Sequence, residues 1–139
     1  KVGNLFVTEM GPSKNDEMNL VQSGGNYGWP EQECSGNEEF IDPINCYDPA
    51  IEPGGIVFYY GDKIKLENSL VLASLRASHL FNLEIDEDGV KSQKSILSGV
   101  GRIRDVAVGP DGYLYLITSN TDGKGFPDAS DDKLLRIVK

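Results

Sequence analysis

Positive charge is missing from most of the first half of this chain. Between Lys14 and Lys63 there is no Lys or Arg, while ten acids fall there: Asp16, Glu17, Glu31, Glu33, Glu38, Glu39, Asp42, Asp48, Glu52 and Asp62. The net charge is −9 over 139 residues. Such a stretch repels nucleic acid and anionic lipid, so neither is an expected partner. It tolerates or attracts divalent cations, or simply solubilises the surface. Long apolar runs are missing too: none approaches the roughly 20 residues that cross a bilayer, so no membrane span is expected. No window of a dozen residues carries a helical stripe. Histidine occurs once and cysteine twice, too few and too scattered for a zinc site. A P-loop, a dinucleotide fingerprint and nucleophile motifs are also absent. No secretory leader is visible at Lys1-Val2-Gly3-Asn4, and the chain reads as a processed or truncated one.

What is present is a succession of short runs with period two or continuous apolar character: LFVT (5–8), EMNLV (17–21), GIVFYY (55–60), SLVLAS (69–74), HLFNLEI (79–85), KSILS (94–98), IRDVAV (103–108), YLYLIT (113–118) and KLLRIV (133–138). Turn signals separate them at Gly61-Asp62, Asp88-Gly89, Asp111-Gly112 and Asp122-Gly123. The chain is therefore expected to be all-β. Its strands fall into a crude repeat of about 40–48 residues, the size of a four-stranded propeller blade. On this reading residues 55–99 form one whole blade between two partial ones. About two and a half to three blades of a six-bladed β-propeller would then lie in one domain, 1–139. A β-sandwich is the structural alternative. Blades bury their faces against neighbours, so the remaining propeller blades are expected partners, in a missing N-terminal portion or another chain.

The two cysteines, Cys34 and Cys46, share a Pro- and Asn-rich stretch (31–53) expected to be an insertion loop. A disulfide there would close a short loop and contribute roughly 2–3 kcal/mol. It would imply an oxidising, extracellular or periplasmic compartment. Two buried free thiols are the alternative.

The strongest local signal is VTEMGPSKNDEMNLVQSGGNYGWPE, 7–31. Gly11-Pro12 makes a tight turn after a strand and can aim backbone carbonyls at one point, and calcium accepts carbonyls together with carboxylates and water. The plainer reading is that Gly, Pro and Trp only shape a long connection. This segment resembles the glucose/sorbosone dehydrogenase family, soluble six-bladed propellers that oxidise aldose sugars with pyrroloquinoline quinone (PQQ). Three further segments match that family in the same order: SLRASHL (74–80), GRIRDVAVGPDGYLYLITSN (101–120) and TDGKGFPDASDDKLLRI (121–137). Together they cover most of the chain apart from the Cys-containing stretch.

The resemblance implies PQQ and calcium as cofactors and a sugar as substrate. It places the carbonyls of Gly11 and Pro12 on the calcium that holds PQQ, and Asp16 beside the reacting centre as a catalytic residue. Glu17, by side chain, and Tyr27, by backbone, fall where some relatives bind a second, structural calcium. Arg76, Arg102 and Arg104 correspond to the basic residues around the cofactor's carboxylates. Guanidinium groups pair bidentately with carboxylates and stack on flat rings, which suits a planar tricarboxylate. Arg102 and Arg104, two apart on an expected strand, should share a face. The alternative is cross-strand pairing with acids such as Asp105 or Asp111.

This sequence departs from the family in three places. Met10 stands where relatives often carry a polar residue, and Arg76 where one type of relative has Lys. The family's general base, a His on an earlier blade, is not in this chain. His79 begins a strand and lacks a carboxylate neighbour in sequence, so a surface or blade-edge role is expected for it. Asn120, Asp122, Asp128, Asp131 and Asp132 form an acidic hairpin loop without EF-hand spacing, for which a solvated loop is expected. Two functions follow as expectations. In the first, the chain is part of a PQQ- and calcium-dependent sugar dehydrogenase and supplies part of the cradle. In the second, it belongs to a non-catalytic secreted propeller used for ligand binding or surface assembly.

Overall fold

A computed structural model describes residues 3–66, 69–86 and 89–138, so that Asp88 of the Asp88-Gly89 turn lies outside the described residues. Ten strands and no helix are found among them. They group into two compact units, one up to Ile51 and one from Glu52 onward.

In the first unit β1 (Leu5–Glu9) pairs antiparallel with β2 (Asp16–Val21), and β2 with β3 (Asn45–Tyr47), in the order β1-β2-β3. The first four residues of β2 are all buried, two of them carboxylic acids. That is possible only because each acid meets N–H donors, as described below. The stretch expected to be an insertion loop carries β3 within it. Its three residues lack the length and alternation of a strand pattern, but they cap an edge of β2 that would otherwise leave backbone groups unpaired. Cys34 and Cys46 form a disulfide with Cα atoms 5.7 Å apart, so the first cysteine reading holds and the free-thiol alternative falls.

The second unit holds a four-stranded meander, β4 (Pro53–Tyr59), β5 (Ser69–Ser74), β6 (His79–Asp86) and β7 (Gly89–Ser98), in sequence order. This is the sheet expected from residues 55–99. All of β5 is buried, since this central strand is covered on both faces. A three-stranded sheet follows, built from β8 (Ile103–Val108), β9 (Leu114–Thr118) and β10 (Leu134–Arg136) in the order β10-β9-β8. Tyr59, Val71, Ala73, Leu80, Ile103, Val106, Leu114 and Leu116 make one core joining these two sheets. Burying each large apolar side chain contributes about 1.5–3 kcal/mol.

The seam between the two sheets is tight. A side-chain carbon at Gly54 would collide with the carbonyl oxygen of Arg104, and one at Gly55 with the Asp105 carboxylate. Only glycine lets β4 lie this close to β8. The contact fixes the strand that follows Arg102 against the blade.

Candidate functional site

Gly11 stands at the bend after β1, where a side-chain carbon would meet the carbonyl oxygen of Lys14. The bend is tied down by Asp16, which is 1% exposed. Its Oδ1 accepts the Gly11 N–H (2.9 Å) and its Oδ2 the Ile51 N–H (2.7 Å). A carboxylate that accepts backbone N–H bonds at both oxygens holds chain geometry. The residue expected beside the reacting centre therefore pins the Gly11-Pro12 bend. Pro12 itself is exposed.

Gly11, Glu17 and Tyr27, three of the residues expected at metal positions, line one cleft of about 310 Å³ together with Glu9, Met10, Asn15, Trp29 and Glu33. The charged side chains of its lining are all acids, which favours a cation. Asn19 bridges two of them, donating from Nδ2 to Glu9 Oε2 (2.8 Å) and Glu17 Oε2 (3.2 Å). Its Oδ1 is buried and meets no donor among the described residues. The other oxygen of Glu17 accepts the backbone N–H of Cys34, and Cys46 faces Glu17 across the β2–β3 ladder. The disulfide thus closes a ring around this carboxylate. The phenol of Tyr27 donates to Leu20 O (2.7 Å) and accepts from Gln22 N (2.8 Å), which ties its loop to the end of β2. No group of three or more His, Cys, Asp or Glu side chains suited to a metal occurs among the described residues.

The second unit holds a cleft of opposite charge, about 490 Å³, lined by Arg76, Arg102, Lys124, Glu52, Asn120 and Phe126 among others. Two residues expected to bind the cofactor therefore share one cavity. Arg102 precedes β8 by one residue, its side chain only 10% exposed. Its Nη2 donates to Glu52 Oε2 (3.0 Å) and its Nε to Asp122 Oδ2 (3.0 Å). Arg104 Nη2 reaches the same Asp122 oxygen (3.3 Å) and Ser119 Oγ (3.0 Å). The two arginines do share a side, although the ladder slips between Ile103 and Asp105. Their acids are Glu52 and Asp122, and no bond to the Asp105 or Asp111 considered from sequence is formed by either.

Burial works to raise the Glu52 carboxyl. The hydrogen bond from Arg102 and the charges of Arg102, Lys124 and Arg76 outweigh it and hold the group below the ordinary carboxylate range. Asp122 is likewise lowered, chiefly by the Lys124 backbone N–H, with burial opposing and Arg102 adding to the effect.

Asn120 is 4% exposed and every polar atom of its amide is used. Oδ1 accepts the Arg102 N–H (2.8 Å), and Nδ2 donates to Val100 O (3.1 Å) and Asp131 Oδ1 (3.0 Å). It positions the turn that delivers Arg102. The sequence marked Asn120 and Asp122 as members of an acidic hairpin and Glu52 as one acid among ten, and gave none of them this role. No signal in the sequence could have found them, because the surplus of acids singles out none as an arginine's partner. The hairpin carboxylates bind their own loop: Asp132 accepts from Asn120 N and Thr121 Oγ1, while Lys133 Nζ bridges Asp128 (2.7 Å) and Asp131 (3.2 Å). His79 lies at the start of β6, its ring edge-on to Phe81 at 5.3 Å.

A family model described as Glucose / Sorbosone dehydrogenase matches residues 1–136. The chain is 31% identical over 139 residues to an aldose sugar dehydrogenase of Escherichia coli K12, covering 86% of this chain and 37% of that protein. The PQQ-bound structure of an aldose sugar dehydrogenase from Streptomyces coelicolor is similar at 34% identity and a TM-score of 0.79, over 96% of this chain and 39% of that one. A Thermus thermophilus structure assigned as an oxidoreductase (glucose dehydrogenase) is similar at 39% identity and a TM-score of 0.88, over 98% and 42%. The chain thus spans less than half the length of the relatives it matches. Its fold is the expected one, an all-β part of a β-propeller.

Proposed function

Because this chain belongs to the glucose/sorbosone dehydrogenase family, we propose that it supplies part of the cofactor and cation cradle of a PQQ- and calcium-dependent aldose sugar dehydrogenase. The observation that carries the reading is the cationic cleft of the second unit, where Arg76 and Arg102 meet and Asp122 ties Arg104 to Arg102. Its charged lining is three cations against Glu52 alone. That surplus suits a planar tricarboxylate, so the residues fit PQQ. When bound, PQQ supplies the electron acceptor for oxidation at the anomeric carbon of the sugar. Arg76 and Arg102 would hold its carboxylates, with Arg104 beside them. The buried pairing with Glu52 and Asp122 keeps the Arg102 guanidinium in one orientation before any ligand arrives, which reduces the ordering cost of binding.

Calcium fits the acidic cleft of the first unit. Asp16 fixes the Gly11-Pro12 bend whose carbonyls would be ligands, and the carboxylates of Glu9, Glu17 and Glu33 supply negative charge along the same cleft. A second, structural calcium at Glu17 and Tyr27 is compatible with the N–H that each Glu17 oxygen accepts, since every carboxylate oxygen keeps a further lone pair for a cation. For Asp16 a positioning role fits better than one in proton transfer, because it is buried and joins the Gly11 and Ile51 backbones. The base would come from an earlier blade, and the remaining blades and the sugar are the proposed partners. The disulfide supports an extracellular or periplasmic location.

The test is a titration of PQQ with calcium into the full-length protein. Bound-cofactor absorbance and dye-linked sugar oxidation are expected. No binding at any calcium level would overturn the reading in favour of a non-catalytic propeller. That second reading draws on Met10, an apolar side chain 51% exposed in the acidic cleft where relatives often carry a polar one.

A further inference from the structure

The loop of residues 121–126 brings two side chains to the cationic cleft that no role yet covers, Lys124 and Phe126. Asp122 binds this loop to the arginines: its Oδ1 accepts the Lys124 N–H (3.0 Å) while its Oδ2 accepts from Arg102 and Arg104. Gly125 packs so closely on the backbone of Asn120 that a side-chain carbon there would collide with the Asn120 carbonyl oxygen. With 125 pressed inward, its neighbours on either side reach the cleft lining.

Lys124 Nζ lies 3.7 Å from Glu52 Oε1, and its side chain is 68% exposed. Such an exposed, long ion pair contributes little to stability and is easily exchanged for another anion. Glu52 would not be stranded by the exchange, because its other oxygen keeps Arg102 at 3.0 Å. Phe126 is 99% exposed. A phenyl ring that packs on nothing in its own unit, at the lining of a cleft rich in guanidinium groups, offers a flat apolar wall to a flat anion.

We propose that Lys124 is a third carboxylate-binding cation of this cleft, parked on Glu52 until an aromatic polycarboxylate arrives, and that Phe126 stacks against that ligand's ring. The inference rests on the cofactor reading above and adds two ligand-contacting residues to it. Lys124 moves from one carboxylate to another, and no bond is made or broken.

The experiment is equilibrium binding of PQQ to the full-length protein, followed by absorbance and by calorimetry at several salt concentrations. The variants are K124M, K124R and F126A, each also melted without ligand. K124M should weaken binding about tenfold, the scale of one charge-assisted contact partly offset by the lost Glu52 pair. It should also flatten the salt dependence, and K124R should restore both. F126A should weaken binding roughly fivefold through lost ring stacking and leave the salt dependence alone. Both side chains are exposed, so the ligand-free melting temperatures should match wild type. Wild-type binding of PQQ with K124M unchanged in affinity and salt slope would overturn the inference and leave the cofactor reading standing. Failure of K124R to restore affinity would also overturn it, because charge is what is asked of this side chain. An F126A variant that melts early yet binds as wild type would assign Phe126 to packing and remove it from the proposal. A wild-type protein that binds no PQQ would remove both readings together.

Discussion

At Tyr59 three backbone groups converge on one phenol. The hydroxyl donates to Gly112 O (3.0 Å) and accepts from Lys63 N (3.1 Å) and Ile64 N (3.2 Å), and the residue is fully buried. Tyr59→Phe keeps the ring but strands these groups, so it should cost about 1–3 kcal/mol. The check is a lower urea midpoint with an unchanged denaturant slope. Nothing near Tyr59 in sequence announces this, because Gly112 lies in a hairpin turn 53 residues away. The arginine pair was legible for the opposite reason. In a chain with 22 acids and 13 bases, two arginines two residues apart stand out. Their counter-ions were not legible, since any of many acids would have served. Asp16 shows the limit of reading by position: the sequence could place it next to a glycine bend, but not show that each of its oxygens accepts a backbone N–H.

Among the elements, those with a clear period or an apolar run were readable almost to the residue. SLVLAS and IRDVAV coincide with β5 and β8. The start of β7 was not, because Val90 to Gln93 alternate weakly and carry Lys and Gln on an edge strand facing water. β3 was missed because three residues held by a ladder and a disulfide need no pattern of their own. The burial of β5 gives an expected contrast. Leu72→Ala, at a position with no exposure, should cost about 2–5 kcal/mol through the cavity it leaves. Gln93→Ala on β7 is exposed and should stay within about 0.5 kcal/mol. Paired denaturation curves settle it, and equal effects would contradict the sheet order.

Over the whole molecule the acids meet different surroundings. Glu9, Glu17 and Glu33 line the first cleft, and in the second unit Glu52, Asp122, Asp131 and Asp132 are held below their ordinary values of 4.5 and 3.8 by donors and cations, burial opposing. A carboxyl lowered in the folded state lends stability that is fully present above its ordinary value. That stability is lost as the pH falls through the lowered value. The urea midpoint should therefore be flat near neutrality and drop below about pH 4. Glu52→Gln should lower the neutral plateau and shrink the drop; an unchanged acid limb would mean the Arg102 pairing contributes nothing. The uneven charge was visible from composition. Its resolution into one acid-lined and one cation-lined cleft required the fold.

The glycines at 54 and 55 have no side chain to offer a ligand, yet the seam they form against the Arg104 carbonyl and the Asp105 carboxylate leaves no room for a side-chain carbon. Homologues that keep this seam are then expected to keep glycine in both columns. Invariance alone would tempt a reader to assign them chemistry. Here it would record only how near two backbones pass, and selection would be acting on clearance, not on catalysis.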